Sequence, residues 1–208
     1  MLNKTRIAVL VSGGGTNLQA IIDAQKSGKI KHGEVVLVVS NNPKAFAIQR
    51  AEQNGIKNLI INKSALNSHQ EFEFLLCQAL DENNIDMIVL AGFMSILSEN
   101  FTSRYAKKII NVHPSLIPSF CGKSYYGISV HEAALRYGVK VTGATVHYVN
   151  EIPDGGEIIM QKAVKVLKND SPQSLQARVM KQAEWVILPK AVEEVSKRIL
   201  KEKKYERV

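Results

Sequence analysis

Two unbroken aliphatic runs near the N-terminus, Arg6 to Ser12 (RIAVLVS) and Glu34 to Ser40 (EVVLVVS), do most to limit the folds open to this chain. Alternating apolar and polar residues would mark a sheet with one wet face. A continuous Val/Ile/Leu run marks a strand covered on both faces. Each run is followed by a helical pattern, over Asn17 to about Ser27 and over roughly Ala45 to Asn54. A short strand is expected at Asn58 to Ile61, a longer helix at Gln70 to Asp81, and another buried strand at Met87 to Leu90. Strands alternating with helices of about 10–15 residues imply right-handed βαβ crossovers and a parallel sheet. Residues 1–107 are therefore expected to form a doubly wound, Rossmann-like half.

Residues 108–208 change character. Lys108 to Val112 reads as one more strand, residues 111–127 as a long loop carrying Pro114 and Pro118, and His131 to Tyr137 as a short helix ended by Gly138. Lys140 to Val149 and Ile158 to Val166 are strand-like, separated by the turn signal Pro153-Asp154-Gly155-Gly156. They are expected to extend the sheet in an antiparallel or mixed sense. Asp170 or Ser171 should cap the final helical region, with Pro172 in its first turn, and Pro189 should break or kink it. The expected fold class is α/β, a mostly parallel sheet with an antiparallel or mixed extension. No repeat or linker divides the 208 residues, so a single domain is expected.

The formal net charge of +8 raises nucleic-acid binding as a class. Part of the excess, Lys197, Arg198, Lys201, Lys203, Lys204 and Arg207, is interleaved with Glu202 and Glu206, as on a solvated helix face. No nucleic-acid partner is expected; a basic surface equally suits polyanionic small ligands such as phosphates. No apolar run approaches the roughly 20 residues of a membrane helix, and Ile7 to Val11 is too short for a signal-peptide core. Cys77 and Cys121 make no disulfide framework, and no Cys/His cluster has metal-ligand spacing, so no metal is expected. The expectation is a cytoplasmic chain without membrane partners, as monomer or homodimer.

Two groups of residues carry chemistry. Ser12-Gly13-Gly14-Gly15-Thr16-Asn17 joins a buried strand to a helix, where backbone N–H groups and the helix dipole favour an anion. The loop lacks the lysine of a Walker A motif and does not satisfy G-x-G-x-x-G, which points to a monophosphate ester. A tight turn without a ligand is the other reading. Asn111 and His113 follow at the end of a strand, and a strand's period of two sends both side chains to one side. An amide and an imidazole so placed could hold a carbonyl oxygen and manage a proton, with the Asp154 carboxylate presented from its turn. Each residue also has a plain structural reading, as turn cap, satisfied histidine or turn initiator.

Taken together, Asn111-Val112-His113-Pro114-Ser115-Leu116-Ile117-Pro118, Thr142-Gly143-Ala144-Thr145-Val146-His147 and Asp154-Gly155-Gly156 resemble the formyltransferase fold shared by several folate enzymes. Gly13-Gly14-Gly15-Thr16-Asn17-Leu18 and Leu90-Ala91-Gly92-Phe93-Met94 narrow the resemblance to the phosphoribosylglycinamide formyltransferase (glycinamide ribonucleotide transformylase) family. It implies formyl transfer from 10-formyltetrahydrofolate, as co-substrate, to the amine of glycinamide ribonucleotide in purine biosynthesis, with no metal. It implies a catalytic trio of Asn111, His113 and Asp154, with His113 protonated and a donor to the oxyanion. Gly15, Thr16, Asn17 and Glu184 would hold the ribonucleotide. Met94, Ser95, Ile96, Leu97, Asn111, Val149, Asn150 and His69 would meet the folate. It also implies a cis Ile117–Pro118 peptide. The chain departs from the family's pattern at Ser95 and His69, where Arg is familiar, and in the loop Cys121 to Gly127, where Lys123 reads equally as a substrate contact or a solvated lysine. Methionyl-tRNA formyltransferase is set aside because the roughly 20 residues beyond Pro189 leave no room for its extra domain. Formyltetrahydrofolate hydrolase and a non-catalytic nucleotide-binding protein stay as alternatives.

Overall fold

The computed structural model describes residues 4–205. Glu206 and Arg207 of the charged C-terminal segment lie outside them. Five parallel strands form the larger part of a seven-stranded sheet: β1 (Thr5–Val11), β2 (Gly33–Ser40), β3 (Lys57–Ile60), β4 (Met87–Leu90) and β5 (Ile109–His113). β6 (Val141–Tyr148) runs antiparallel to β5, and β7 (Ile158–Lys165) antiparallel to β6. The order is β3-β2-β1-β4-β5-β6-β7. The expected mixed sheet is thus realised, and the chain reverses its direction of travel across the sheet between β1 and β4. Such a switch point opens a crevice at the strands' C-terminal ends.

The aliphatic runs are explained by two cores, one on each face. Ile7, Val9 and Val11 enter one core while Ala8 and Leu10 enter the other, all fully buried. Helices α1 (Thr16–Lys26), α2 (Phe46–Gln53) and α7 (Trp185–Tyr205) cover the first face through Leu18, Ile21, Ala47, Leu188 and Val192. Helices α3 (His69–Glu82) and α4 (Glu99–Arg104) cover the second through Phe72, Leu76 and Phe101. The short α4 was not expected from periodicity, because its six residues are too few to show one. Helices α5 (Ile128–Tyr137) and α6 (Pro172–Val179) complete the molecule. Ser171, not Asp170, caps α6, in a reciprocal pair with Ser174.

The expected break at Pro189 does not occur, and α7 runs through it. The departure from α-helical pairing lies one turn earlier, in a π-helical turn over Met180–Glu184, where the Trp185 N–H reaches back to the Met180 carbonyl. A π turn re-aims the helix that follows it, and such turns recur at functional sites.

His131 on α5 is fully buried, and neither ring nitrogen has a hydrogen-bond partner among the described residues. Burial first, then the charge of nearby His113, pulls its pKa from 6.5 down to about 4. The folded state therefore binds fewer protons than the unfolded one, and stability is lost as pH falls through that window. A shift of this size corresponds to at most about 3 kcal/mol. Urea titrations should show His131→Leu flattening the loss between pH 6.5 and about 4 relative to the parent. Identical pH slopes in the two proteins would contradict this.

Candidate active site

Three connecting segments meet at the C-terminal edge of the parallel strands. After β1, Gly15 adopts φ 70°, and a Cβ there would lie 2.7 Å from the Ala47 Cβ, so α2 can approach only because the residue is glycine. The Gly13 carbonyl accepts from the Ala47 N–H at 3.1 Å, and the Gly14 carbonyl from Arg50 Nε at 2.8 Å. These bonds turn the loop's carbonyls toward α2. No side chain caps α1, so its first-turn N–H groups are left to an anion or to solvent. Ser12 Oγ accepts the Met94 N–H at 2.8 Å, tying this loop to the segment after β4.

Asn17 and Glu184, separated by 167 residues, are brought together: Asn17 Nδ2 donates to Glu184 Oε2 at 2.7 Å. Glu184 comes from the π turn and is only 7% exposed. Burial raises its carboxyl pKa, with the Asn17 bond acting against that. Asn17 Oδ1 is buried without a partner among the described residues. An unmatched acceptor beside a buried carboxyl suits a ligand bearing hydroxyls, which donate to both.

The trio expected from sequence converges on Asp154. His113 Nδ1 lies 3.3 Å from Asp154 Oδ2, and Asn111 Nδ2 lies 3.5 Å from Asp154 Oδ1. The Gly122 N–H donates to Oδ2 at 2.9 Å, and His147 Nε2 is 3.6 Å from Oδ1. Asp154 takes φ 57°, a left-handed conformation that Asp tolerates better than most side chains. Burial alone would raise its carboxyl, but His147, His113 and the Gly122 N–H together hold it below the usual carboxylate range.

His113 differs from its expected part. Its Nε2 meets the Phe120 carbonyl at 2.8 Å while Nδ1 faces Asp154, so neither nitrogen is free for a substrate oxygen. Burial pulls the ring below the ordinary histidine range, with Asp154 and the Phe120 carbonyl opposing it. Desolvation opposes a charge on the ring, while the acceptor oxygens facing both nitrogens favour one. The Ile117–Pro118 peptide is cis, as the resemblance implied. Burial, then Asp154, pushes the Cys121 thiol up, which suits a neighbour of the site rather than a nucleophile. Lys123 is exposed.

The cluster closes one end of a cavity of about 120 Å³. Phe93, Ser95, Ile96 and Leu97 line it together with Val149, Asn150, Ile152, Pro153, Asn111, His147 and Asp154. A mixed lining of apolar side chains with an amide and a carboxylate suits a ring with a polar edge. Met94 and His69 lie outside this cavity, in an adjoining depression shared with Lys63, Ile96 and Leu97. His69 Nε2 pairs with Glu73 at 3.1 Å, and Ser95 Oγ accepts from Asn41 Nδ2 at 2.8 Å. A larger groove of about 740 Å³ lies between α1 and α7; it includes Thr16 but no residue of the Asp154 cluster.

Sequence reasoning did not assign a role to His147, although it stands in a quoted motif. Antiparallel pairing sets His147 directly opposite Asn111, and Thr145 opposite His113. The period of two along β6 puts Thr145 and His147 on one side, but only the register says what they face. Among the described residues no group of three His, Cys, Asp or Glu side chains could hold a metal ion, and no helix is long and apolar enough to cross a membrane.

A family model described as "Formyl transferase" matches residues 5–192. Phosphoribosylglycinamide formyltransferase of Escherichia coli K12 is 44% identical over 183 residues, 88% of this chain and 83% of that protein. The trifunctional purine biosynthetic protein adenosine-3 of Gallus gallus is 42% identical over 93% of this chain and 19% of its own length. The chain spans 19% or less of the trifunctional proteins it matches. Among solved structures, glycinamide ribonucleotide transformylase 1 of Symbiobacterium toebii superposes with a TM-score of 0.85 at 37% identity, covering 91% of this chain and 86% of that one.

Proposed function

The chain belongs to the formyl transferase family, and from that premise we propose that it transfers the formyl group of 10-formyltetrahydrofolate to the amine of glycinamide ribonucleotide in purine biosynthesis. The products are formylglycinamide ribonucleotide and tetrahydrofolate. The observation that carries this reading is a site with two poles. A phosphate-type loop bears the Asn17–Glu184 pair, the ends of β5 and β6 bear the Asn111–His147–Asp154 cluster, and the Ser12–Met94 bond joins the loop to the segment after β4. Two such groups suit a ligand with a phosphate at one end and an amine at the other.

The free N–H groups at the start of α1 take the phosphate, and Glu184 and Asn17 Oδ1 accept from ribose hydroxyls. The folate brings the formyl carbon and the nitrogen that leaves. Phe93, Ile96, Leu97 and Val149 exclude water around its ring. Asn111 Nδ2 donates to the formyl oxygen as negative charge grows on it. Asp154 is ionised and takes the proton shed by the attacking amine, which is then returned to the departing folate nitrogen. His113 stands behind Asp154 and orients it.

The test is to mix the protein with 10-formyltetrahydrofolate, with and without glycinamide ribonucleotide, and follow the folate by absorbance. Conversion that requires the ribonucleotide is expected. Conversion without it would favour the hydrolase, and none in either case would leave a nucleotide-binding protein.

A further inference from the structure

Asn111 carries a donor at one end of its amide and an acceptor at the other. Only the donor end can stabilise negative charge on an oxygen, so catalysis depends on which end faces the reaction. The contacts that decide this come from β6. His147 is 2% exposed, and its Nδ1 lies 2.7 Å from the carbonyl of Tyr148. A carbonyl only accepts, so a ring hydrogen is fixed on Nδ1, and the neutral form of the ring then has its lone pair on Nε2. Nε2 lies 3.2 Å from Asn111 Nδ2, within hydrogen-bond reach, and 3.6 Å from Asp154 Oδ1, outside it. The chain of bonds therefore runs one way, from Asn111 Nδ2–H to His147 Nε2 and from His147 Nδ1–H to the Tyr148 carbonyl.

We propose that His147 is a positioning residue that fixes Asn111 with its donor end toward the reacting oxygen. One Nδ2 hydrogen is given to His147, and the other lies toward Asp154 Oδ1 at 3.5 Å, a long contact that a developing oxyanion can displace. Without His147, only the long contact to Asp154 is left to hold the Asn111 amide, and its oxygen can more readily turn to the same place, where it would repel the charge it should hold. Register supports the assignment: Asn111 and His147 are directly paired residues of β5 and β6, so the contact is held by the sheet's own ladder.

The kinetic part of the test rests on the formyl-transfer reading; the spectroscopic part does not. A long-range ¹H–¹⁵N spectrum of the folded protein at neutral pH should show His147 with a hydrogen on Nδ1 and none on Nε2. The opposite tautomer would overturn the proposal. In the transfer assay, His147→Leu should lower kcat by about a hundredfold, the scale of one lost oxyanion donor, with the ribonucleotide KM within about twofold. His147→Gln keeps an acceptor and should hold kcat within about tenfold. In an Asn111→Ala background, adding His147→Leu should cost less than about threefold, because the two act as one unit. Equal losses from Leu and Gln, or a full loss in the Asn111→Ala background, would overturn it. If the parent enzyme transfers no formyl group, the functional reading fails, while the ring spectrum still decides the tautomer. If His147→Leu does not fold, the spectrum and the Gln variant decide.

Discussion

Asp154→Asn is expected to lower turnover by about three to four orders of magnitude with little change in stability, on the scale of a lost acid–base group. The substitution is nearly isosteric. Asn tolerates the φ of 57° at this position, and its side-chain oxygen still accepts from the Gly122 N–H. What it loses is the charge, which acts on three neighbours at once. His113 Nδ1 loses the carboxylate 3.3 Å away that opposes its desolvation, Asn111 loses an acceptor, and the amine loses its proton acceptor. The depressed pKa of Asp154 keeps it ionised through the neutral range, so the whole effect is present at pH 7. Steady-state kinetics with thermal melts of both proteins check this. Turnover within tenfold of the parent would remove Asp154 from the proton path.

Gly156→Ala is expected to destabilise the fold by about 3 kcal/mol, the upper end of ordinary overpacking. For a chain of this length that lowers Tm by about 6–12 °C. A Cβ at this position would lie 1.7 Å from the Tyr148 carbonyl oxygen and 2.7 Å from its carbon. No flexible side chain can yield there; the backbone of β6 must move. That same carbonyl accepts from His147 Nδ1, so the displacement also disturbs the anchor of the catalytic cluster. Gly13→Ala is the matched control. Nothing lies within 4 Å of a Cβ there and its φ is not positive, so its Tm should stay within a few degrees of the parent. Equal melting shifts in the two variants would contradict the steric argument.

Much of this was legible in the chain. RIAVLVS announced a strand buried on both faces, and β1 divides its residues between the two cores as that reading requires. Gly13 to Asn17 announced a strand-to-helix turn, and Gly15 is needed there because its φ is left-handed and α2 packs too close for any side chain. Asn111 and His113 share a side because side chains on a strand alternate, and Asp154 lies on a turn because Asp-Gly-Gly makes one. These are local rules, with period, propensity and turn chemistry acting over a few residues.

The rest depended on pairings that no local rule encodes. That Asn17 meets Glu184 is decided by how α1 and the π turn pack, across 167 residues. That turn, rather than Pro189, is where the last helical region departs from regular pairing, and propensity carries no signal for it. That His147 faces Asn111, while His113 is drawn back against the Phe120 carbonyl, is decided by the β5–β6 register and the path of the loop before α5. The sequence by itself determined which residues are strands, turns and chemical groups, because short-range sterics and burial period act on neighbours along the chain. Only the tertiary structure decided which of those groups touch and how strongly each is desolvated, because distance and dielectric are properties of the packed molecule.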